Sequence, residues 1–447
     1  MVGRALLTDL RDRSPVALYI AALSFGSFVV VLSVLFNLAE YHNGAQHVGY
    51  MSALNWSVGF TIFTPLFVLF LLRALGSVGE IARRLDHNGM LVDAGFRPLD
   101  DGAVRLERLW TARLEQLGPI ALVLVVASFV AALAYWLYES GGPLLLGTDA
   151  PEIDWAVRYE GSSAAREWAN AAFSFVAYLQ QGVFLSALML TGVVSYALAE
   201  LFHSLATHRH DLRVIPSSTS RDRRRGFQVF APIPENLLLA VAFAYGHLYL
   251  GRIWNVFQHQ HEGSLQQLVI ADLVDGFASG GFTAGLSALF ETQELGTEGR
   301  LILITSLVLG AVSLFFVFVM LRGTARDAGQ ALTEVLERLP PDATYDDQPV
   351  EEILERIRSM SVWPVKYPRP SQLMVIGIFA ITVMFFYRFG VFYVGILLAY
   401  VMAQMLRKET IGQQVEEATA VDDEPPVAAR PGADRSEPPG ARGDAPR

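Results

Sequence analysis

Two aspartates in an apolar stretch are the residues that most directly suggest chemistry. Asp272 and Asp275 lie within residues 268–290, three positions apart, so they share one face of a helix. The same stretch has glycines at the small-xxx-small spacing that lets helices approach closely, at Gly276, Gly280, Gly281 and Gly285. Carboxylates at membrane depth often line an ion path. We predict either a re-entrant loop lining such a path or an external helix whose aspartates face water.

Further polar residues lie within apolar stretches that are long enough to cross a membrane. His247 and Asn255 are eight residues apart and share one helix face, while Arg252 lies nearer the outer boundary and could extend toward it. Gln180 and Gln181 lie near the middle of another apolar stretch. A histidine can carry protons near neutral pH, but it can also be a hydrogen-bonded packing residue. These five residues, with the two aspartates, are the candidate pathway residues.

Histidines also cluster in two predicted outer loops. His42 and His47 lie in the first, and His259, His261 and Glu262 lie near the third. Imidazole and carboxylate groups can bind zinc or copper if the segment is extended or the two loops meet. Histidines exposed to solvent are the alternative, so the identity of any metal stays unknown.

Several classes of enzyme and cofactor site are excluded by counting. The chain has no cysteine, and its only lysines, Lys366 and Lys408, do not belong to a phosphate-binding loop or lie within a membrane span. His-Glu-x-x-His and Gly-x-Ser-x-Gly motifs are also absent from the sequence. We therefore predict no enzymatic activity, no catalytic residue and no cofactor.

The composition indicates an integral membrane protein. Of 447 residues, 52% are hydrophobic and 17% are charged, and the mean hydropathy is +0.36. Soluble proteins average about 25% charged residues, so this chain has too few charges to cover a surface facing water. The predominance of arginine over lysine suggests a bacterial genome rich in GC, and hence the inner (plasma) membrane.

The apolar stretches predict an all-α fold with about eight transmembrane helices. A span needs about 20 apolar residues, and the predicted spans are 16–38, 52–72, 119–138, 168–199, 236–257, 301–321, 373–387 and 390–406. The last two would form a short hairpin that turns at Arg388, Phe389 and Gly390. Each of its arms is short for a span, so a re-entrant hairpin is the alternative.

The distribution of arginine predicts the topology. The loops 73–118, 200–235 and 322–370 are rich in arginine and the intervening loops are acidic, so both termini should be cytoplasmic. The acidic, proline-rich tail, residues 407–447, is predicted to be disordered.

The cytoplasmic loops contain amphipathic segments. An apolar helical stripe comprises Val350, Ile353, Leu354 and Ile357, and a second stripe runs through residues 328–339, so the two should form a helical hairpin. The first stripe either packs within this small cytoplasmic layer or holds a partner. Residues 212–215 and 227–230 flank an arginine-rich turn and suggest a short β-hairpin.

Two functions fit these features. The first is a channel or transporter for an ion or small solute. The second is a non-transporting sensor, effector or scaffold that acts through its cytoplasmic helices. The expected partners are the lipid bilayer and either a second copy of the chain or a cytoplasmic protein. A nucleic-acid partner is not expected, because the arginine clusters lie where membrane topology already requires them.

Overall fold

A computed structural model describes most of the chain up to residue 360. The described residues are 2–39, 41–43, 46–51, 53–138, 164–207, 211–217, 224, 226–260, 272–289, 304, 308, 316–340, 343–345, 348–360, 365, 382, 386 and 388. They all belong to one compact unit, Met1–Tyr393; the second unit, Val394–Arg447, lies outside the described residues.

The described chain is mostly helical. Its α-helices are α1 (Val2–Asp12), α2 (Pro15–Leu35), α3 (Thr64–His87), α4 (Gly102–Trp136), α5 (Ala164–Ala206), α6 (Pro232–Gln260), α7 (Asp272–Leu289), α8 (Phe316–Leu336) and α9 (Val350–Arg358). A π-helix (Asn55–Phe63) precedes α3 and a 3-10 helix (Phe227–Phe230) precedes α6. The strands form three antiparallel pairs: β1 (Tyr41–Asn43) with β2 (Gln46–Val48), β3 (Leu91–Val92) with β4 (Arg213–Val214), and β5 (Thr344–Tyr345) with β6 (Gln348–Pro349).

Five helical segments of the described residues are long and apolar enough to cross a membrane. They are Pro15–Leu35, Asn55–His87, Gly102–Trp136, Trp168–Ala206 and Phe227–Trp254. Each contains most of one of the first five predicted spans. The predicted spans 301–321 and 373–406 lie mostly outside the described residues, so the count of eight stays a prediction.

Two of these segments expose apolar side chains that suit a lipid environment. Large hydrophobic residues of α2 and α4 are about half exposed or more, among them Ile20, Val31, Leu35, Val123 and Val130. A protein surrounded by water rarely exposes such continuous apolar surface. Together with the length of the helices, this surface suggests a membrane location.

Helices of the second and third spans extend well into the predicted loop 73–118. Segment Asn55–His87 continues past Arg73 without a break, and α4 already begins at Gly102, with Pro119 inside the helix. The apolar pattern alone therefore predicts shorter helices, which end closer to the membrane than the observed helices do. The charged extensions are helical because they carry their own apolar faces: Val78, Ile81, Leu106 and Trp110 are buried.

The π-helix is where the second span meets its neighbours. The amide of Thr64 donates to the carbonyl of Gly59, five residues earlier, and Pro65 follows with no N–H to donate. Close helix approaches occur on both sides. A Cβ on Gly26 of α2 would lie 2.8 Å from the carbonyl oxygen of Phe60, and one on Gly246 of α6 would overlap the Phe63 ring.

The loops predicted to be cytoplasmic share one small hydrophobic core. It joins β3, the segment after β4, α8 and α9 through Val92, Ile215, Leu332, Leu336, Val350, Ile353 and Ile357. The helical hairpin predicted from the two apolar stripes is therefore present as α8 and α9. Leu354 is half buried against the same core.

The β-hairpin predicted from residues 212–215 and 227–230 is wrong. Arg213 and Val214 pair instead with Val92 and Leu91 of the predicted loop 73–118, and Phe227–Phe230 forms the 3-10 helix. Local alternation cannot identify a partner strand that lies more than a hundred residues away. The Arg213 guanidinium lies 4.5 Å from the centre of the Phe96 ring. Burial lowers the pKa of Arg213, while the Glu334 carboxylate acts to raise it.

Candidate functional site

His247 of α6 lies in a niche lined by aromatic rings. Its ring stacks on Phe184, with centroids 4.0 Å apart, and meets the edge of Phe60 at 4.6 Å. Its Nδ1 lies 3.3 Å from the hydroxyl oxygen of Thr64, and the side chain is buried. His247 is therefore packed between aromatic rings, and its Nδ1 has the Thr64 hydroxyl as a polar neighbour.

Gly59 of the π-helix makes room for this ring. A Cβ on Gly59 would lie 2.6 Å from Nδ1 of His247 and 2.8 Å from Cε1. Real Cβ atoms essentially never approach a neighbour this closely. Because both helices are packed on other elements, the pairing of a glycine with a histidine fixes how closely the second and fifth spans approach.

Gln180 of α5 belongs to a second buried polar group. The hydroxyl of Tyr50, which is fully buried, lies 3.1 Å from Oε1 of Gln180 and 3.0 Å from the carbonyl oxygen of Trp56. Within the part of the chain that the structure describes, no acceptor lies within hydrogen-bonding distance of Nε2 of Gln180. An unpaired buried amide is costly, so this group is a candidate contact for water or a polar solute.

Aromatic rings connect the two polar groups. Trp56 contacts Tyr178 at 5.0 Å and Phe60 at 5.1 Å, and Phe60 contacts His247. Gln180 and His247 therefore lie along one interior formed by the π-helix, α5 and α6. The sequence placed these two residues in separate spans and gave no indication of this shared interior.

The other candidates in these spans differ in placement. Arg252 is fully buried, and its extension toward the outer boundary stays a prediction. Gln181 is half buried. The side chain of Asn255 lies outside the described residues, so its shared face with His247 stays a prediction.

The stretch with the two aspartates forms a tight helical hairpin. Gly281 has φ 70° and ψ −166°, which breaks α7 into two short arms. A Cβ on Gly276 would lie 3.2 Å from that of Ala288, and one on Gly285 would overlap the Phe277 ring. Residues twelve apart on an unbroken helix are about 18 Å apart along its axis, so the arms must fold back on each other.

Arg388 holds the second arm of this hairpin. Its Nη1 donates to the carbonyl oxygen of Ala288 at 2.8 Å, and the side chain is buried. Arginine is favourable at the carboxyl end of a helix, where carbonyl groups lack partners within the helix. Sequence reasoning noted Arg388 only as a break in the last apolar block. Its position inside an apolar stretch was the available signal that it has a binding role.

The aspartates begin the first arm of the hairpin. Asp272 is its first residue, and the side chain of Asp275 is exposed. Acidic residues stabilise the first turn of a helix, which accounts for their positions without any ligand. The hairpin also exposes Val274, Phe277 and Phe282. Apolar exposure on this scale fits contact with lipid or with another apolar surface better than with water.

A further buried polar residue, absent from the predicted set, lies on the same helix as Gln180. Asn170 of α5 is buried, and among the described residues neither its Nδ2 nor its Oδ1 has a hydrogen-bond partner. A carboxamide in an apolar span is an unusual residue type, and that was the signal that could have identified it.

Metal ligands do not converge among the described residues. No group of three or more histidine, aspartate or glutamate side chains that could hold a metal ion is present in that part of the chain. The backbone pairs His42 directly with His47 across β1 and β2. The side chains of His42, His47 and His259 lie outside what the structure describes, as do His261 and Glu262 entirely, so a metal site there stays a hypothesis.

Comparison with known proteins gives one family. The family model described as RcgA-like matches residues 15–250, which is more than half of the chain. The match covers the first four apolar helical segments and most of the fifth, including His247. No curated protein and no solved structure matches the chain.

Proposed function

The chain belongs to the RcgA-like family, and we propose that it is a multi-pass membrane protein that provides a pathway for an ion or a small solute. The proposed location is the inner membrane, with both termini in the cytoplasm and three further crossings in residues 301–406. The pathway would include the hairpin α7 and the buried polar groups of α5 and α6.

The observation that carries this proposal is the break at Gly281 together with the contact between Arg388 and Ala288. Broken helices at membrane depth are tolerated where they line a cavity, and they are a recurrent element of ion and solute sites in transporters. The two arms have nine and eight residues, or about 12–14 Å each. That length is less than half of a hydrocarbon core of about 30 Å, so the hairpin suits a re-entrant position rather than a crossing.

The buried carboxamides give independent support. Asn170 and Gln180 lie ten residues apart on α5, and both have polar atoms without a partner among the described residues. Two such groups in one span are expensive in a dry interior. They are favourable if water or a polar solute reaches them.

The alternative function, a sensor or scaffold, relied on the apolar stripe of α9. Val350, Ile353 and Ile357 pack against Val92 and Ile215 of the other cytoplasmic loops. That face is occupied by the chain itself, so a partner would have to displace the cytoplasmic core to bind there.

The proposal is tested by flux into proteoliposomes. Full-length protein is reconstituted with internal dyes that report protons, potassium or chloride, and each ion is added as a gradient in a separate experiment. We expect a flux above that of protein-free vesicles for at least one ion. We also expect Asp275→Asn and Gln180→Leu to reduce or reshape it. The matched control is Gln116→Leu, which changes the same residue type outside the predicted spans.

Two outcomes contradict the proposal. One is that the vesicles show no flux of any ion tested and no uptake of small uncharged solutes, which is measured by vesicle swelling. The other is a flux that neither Asp275→Asn nor Gln180→Leu changes, which would remove these residues from the pathway.

A further inference from the structure

A basic cleft lies where the second span and the helix of the fifth span meet at the predicted cytoplasmic side. It has a volume of about 630 Å³ and is lined by Glu80, Arg83, Arg84, His87, Asn88, Gly226, Gln228 and Val229. Volumes of this size are typical of small-molecule sites. None of these residues belongs to the proposed pathway.

The charged groups of the cleft favour an anion. Arg83 and Arg84 are both exposed in it, and among the described residues the only carboxylate of its lining, Glu80, pairs with Arg84 one helical turn away. Arg83 donates from Nε to the carbonyl oxygen of Gly79 at 3.3 Å, which orients its guanidinium group. An exposed ion pair such as that of Glu80 and Arg84 is weak, so an anion with several oxygens can compete for Arg84.

The opposite wall is the turn at Gly226 and the 3-10 helix Phe227–Phe230 that follows it. The amides of Phe227 and Val229 already donate to the carbonyl oxygens of Arg224 and Gly226, so this wall shapes the cleft and the arginines supply its positive charge. Gly226 has φ 85°, and a Cβ there would lie 2.6 Å from the sulfur of Met90. Only glycine fits at this position, so the turn that brings the helix start to the arginines depends on it.

We propose that this cleft binds a phosphoryl group through Arg83 and Arg84. Guanidinium groups bind phosphate oxygens in pairs. Arg83 lies 28 residues after Asn55, or roughly 40 Å along the helix. If Asn55 is near the outer boundary, the cleft lies near the cytoplasmic limit of the headgroup layer. A soluble phosphate compound and an anionic lipid headgroup both reach that depth.

Calorimetric titration of the full-length protein with inorganic pyrophosphate tests this site. The protein is held in nanodiscs of neutral phosphatidylcholine, and the double variant Arg83→Gln, Arg84→Gln is compared with Arg326→Gln, which removes one exposed arginine from α8. We expect saturable binding that weakens about tenfold or more in the double variant, because two charge-assisted contacts are lost. Arg326→Gln should bind like the unchanged protein. All three should have equal melting temperatures without ligand, because the side chains are exposed.

A second set of nanodiscs distinguishes the two sources of the phosphoryl group. If phosphatidylglycerol in the disc weakens pyrophosphate binding by the unchanged protein but not by the double variant, the headgroup occupies the cleft. If it has no effect, the site takes a soluble phosphate compound. Absence of saturable binding in neutral discs, or equal affinity of the double variant and the unchanged protein, would overturn the proposal.

Discussion

Arg388 donates a 2.8 Å hydrogen bond to the carbonyl oxygen of Ala288, exactly one hundred residues earlier in the chain. The arginine is 4% exposed. A buried charge is tolerated only where hydrogen bonds compensate for the loss of water. This contact therefore ties the end of the helical hairpin α7 to the last apolar block, the two regions whose membrane placement the sequence left open.

Replacing Arg388 with glutamine should loosen the hairpin and reduce flux. The lost charge-assisted hydrogen bond is worth about 1.5–3 kcal/mol, so the melting temperature in detergent should fall. Arg388→Lys keeps the charge but not the planar donor, so its melting temperature and flux should lie between those of the unchanged protein and of Arg388→Gln. Arg322→Gln, an exposed arginine of α8, is the control. Flux and melting temperature of Arg388→Gln equal to those of the control would show that the contact does not matter.

Gly281→Ala should destabilise the turn of the hairpin. At φ 70° and ψ −166° any side chain adds backbone strain of order 1–3 kcal/mol. A hairpin that opens should also change flux. The matched control is Gly192→Ala within α5, where a Cβ meets nothing within 4 Å and the added methyl group favours the helix. Equal melting temperatures of these two alanine variants would contradict the argument.

The spans could be predicted from sequence because lipid imposes one simple condition, a long apolar run. Five described helical segments satisfy it, and each contains most of its predicted range. The ends of α3 and α4 could not be predicted in the same way. Beyond Leu72 and before Pro119 the helices are stabilised by packing outside the predicted spans, such as that of Val78 and Trp110, which no hydropathy pattern reports.

The candidate site was predictable only as a set of residue types. Polar residues in apolar spans identified Gln180 and His247, but their partners Tyr50 and Thr64 come from other segments and carry no signal of their own. The sequence around Gly59 does not indicate its role either, because that role depends on the imidazole ring of His247 that lies against it. Pairings between distant segments depend on packing, which one sequence does not display.

Gly59→Ala should destabilise the protein through His247. The new methyl group would collide with the imidazole, which Phe60 and Phe184 hold in place. Overpacking of this kind typically costs about 1–3 kcal/mol. His247→Ala removes the ring and should relieve the collision. The double variant should then be more stable than the sum of the two single effects predicts. If the losses in free energy of unfolding of the two single variants add up to the loss of the double variant, the two residues do not compete for space.

Ile353→Ala should destabilise the small core that α8 and α9 share with Val92 and Ile215. Ile353 is 2% exposed in the core formed with Val92 and Ile215, and shortening a buried isoleucine to alanine costs about 2–5 kcal/mol. Glu355→Ala on the exposed face of α9 is the control and should change stability little. Faster proteolysis of Ile353→Ala within residues 340–360 would report the loss. If the variant resists protease as well as the control and instead loses a bound partner, the stripe is a docking surface.

Cysteine labelling tests whether the hairpin α7 lies in the membrane, and the absence of native cysteines leaves the background clean. Ser279 and Phe282 flank the turn, and both side chains are exposed in the protein itself. If the hairpin is re-entrant, Ser279→Cys should react in intact cells with a small impermeant maleimide but not with a bulky one. Phe282→Cys should resist both until detergent is added, because lipid covers it. Ser359→Cys, exposed at the end of α9, should react only after the cells are opened, since that side is predicted to be cytoplasmic. Rapid reaction of both hairpin cysteines with the bulky reagent would make α7 an external hairpin, and the proposed pathway would lose its main support.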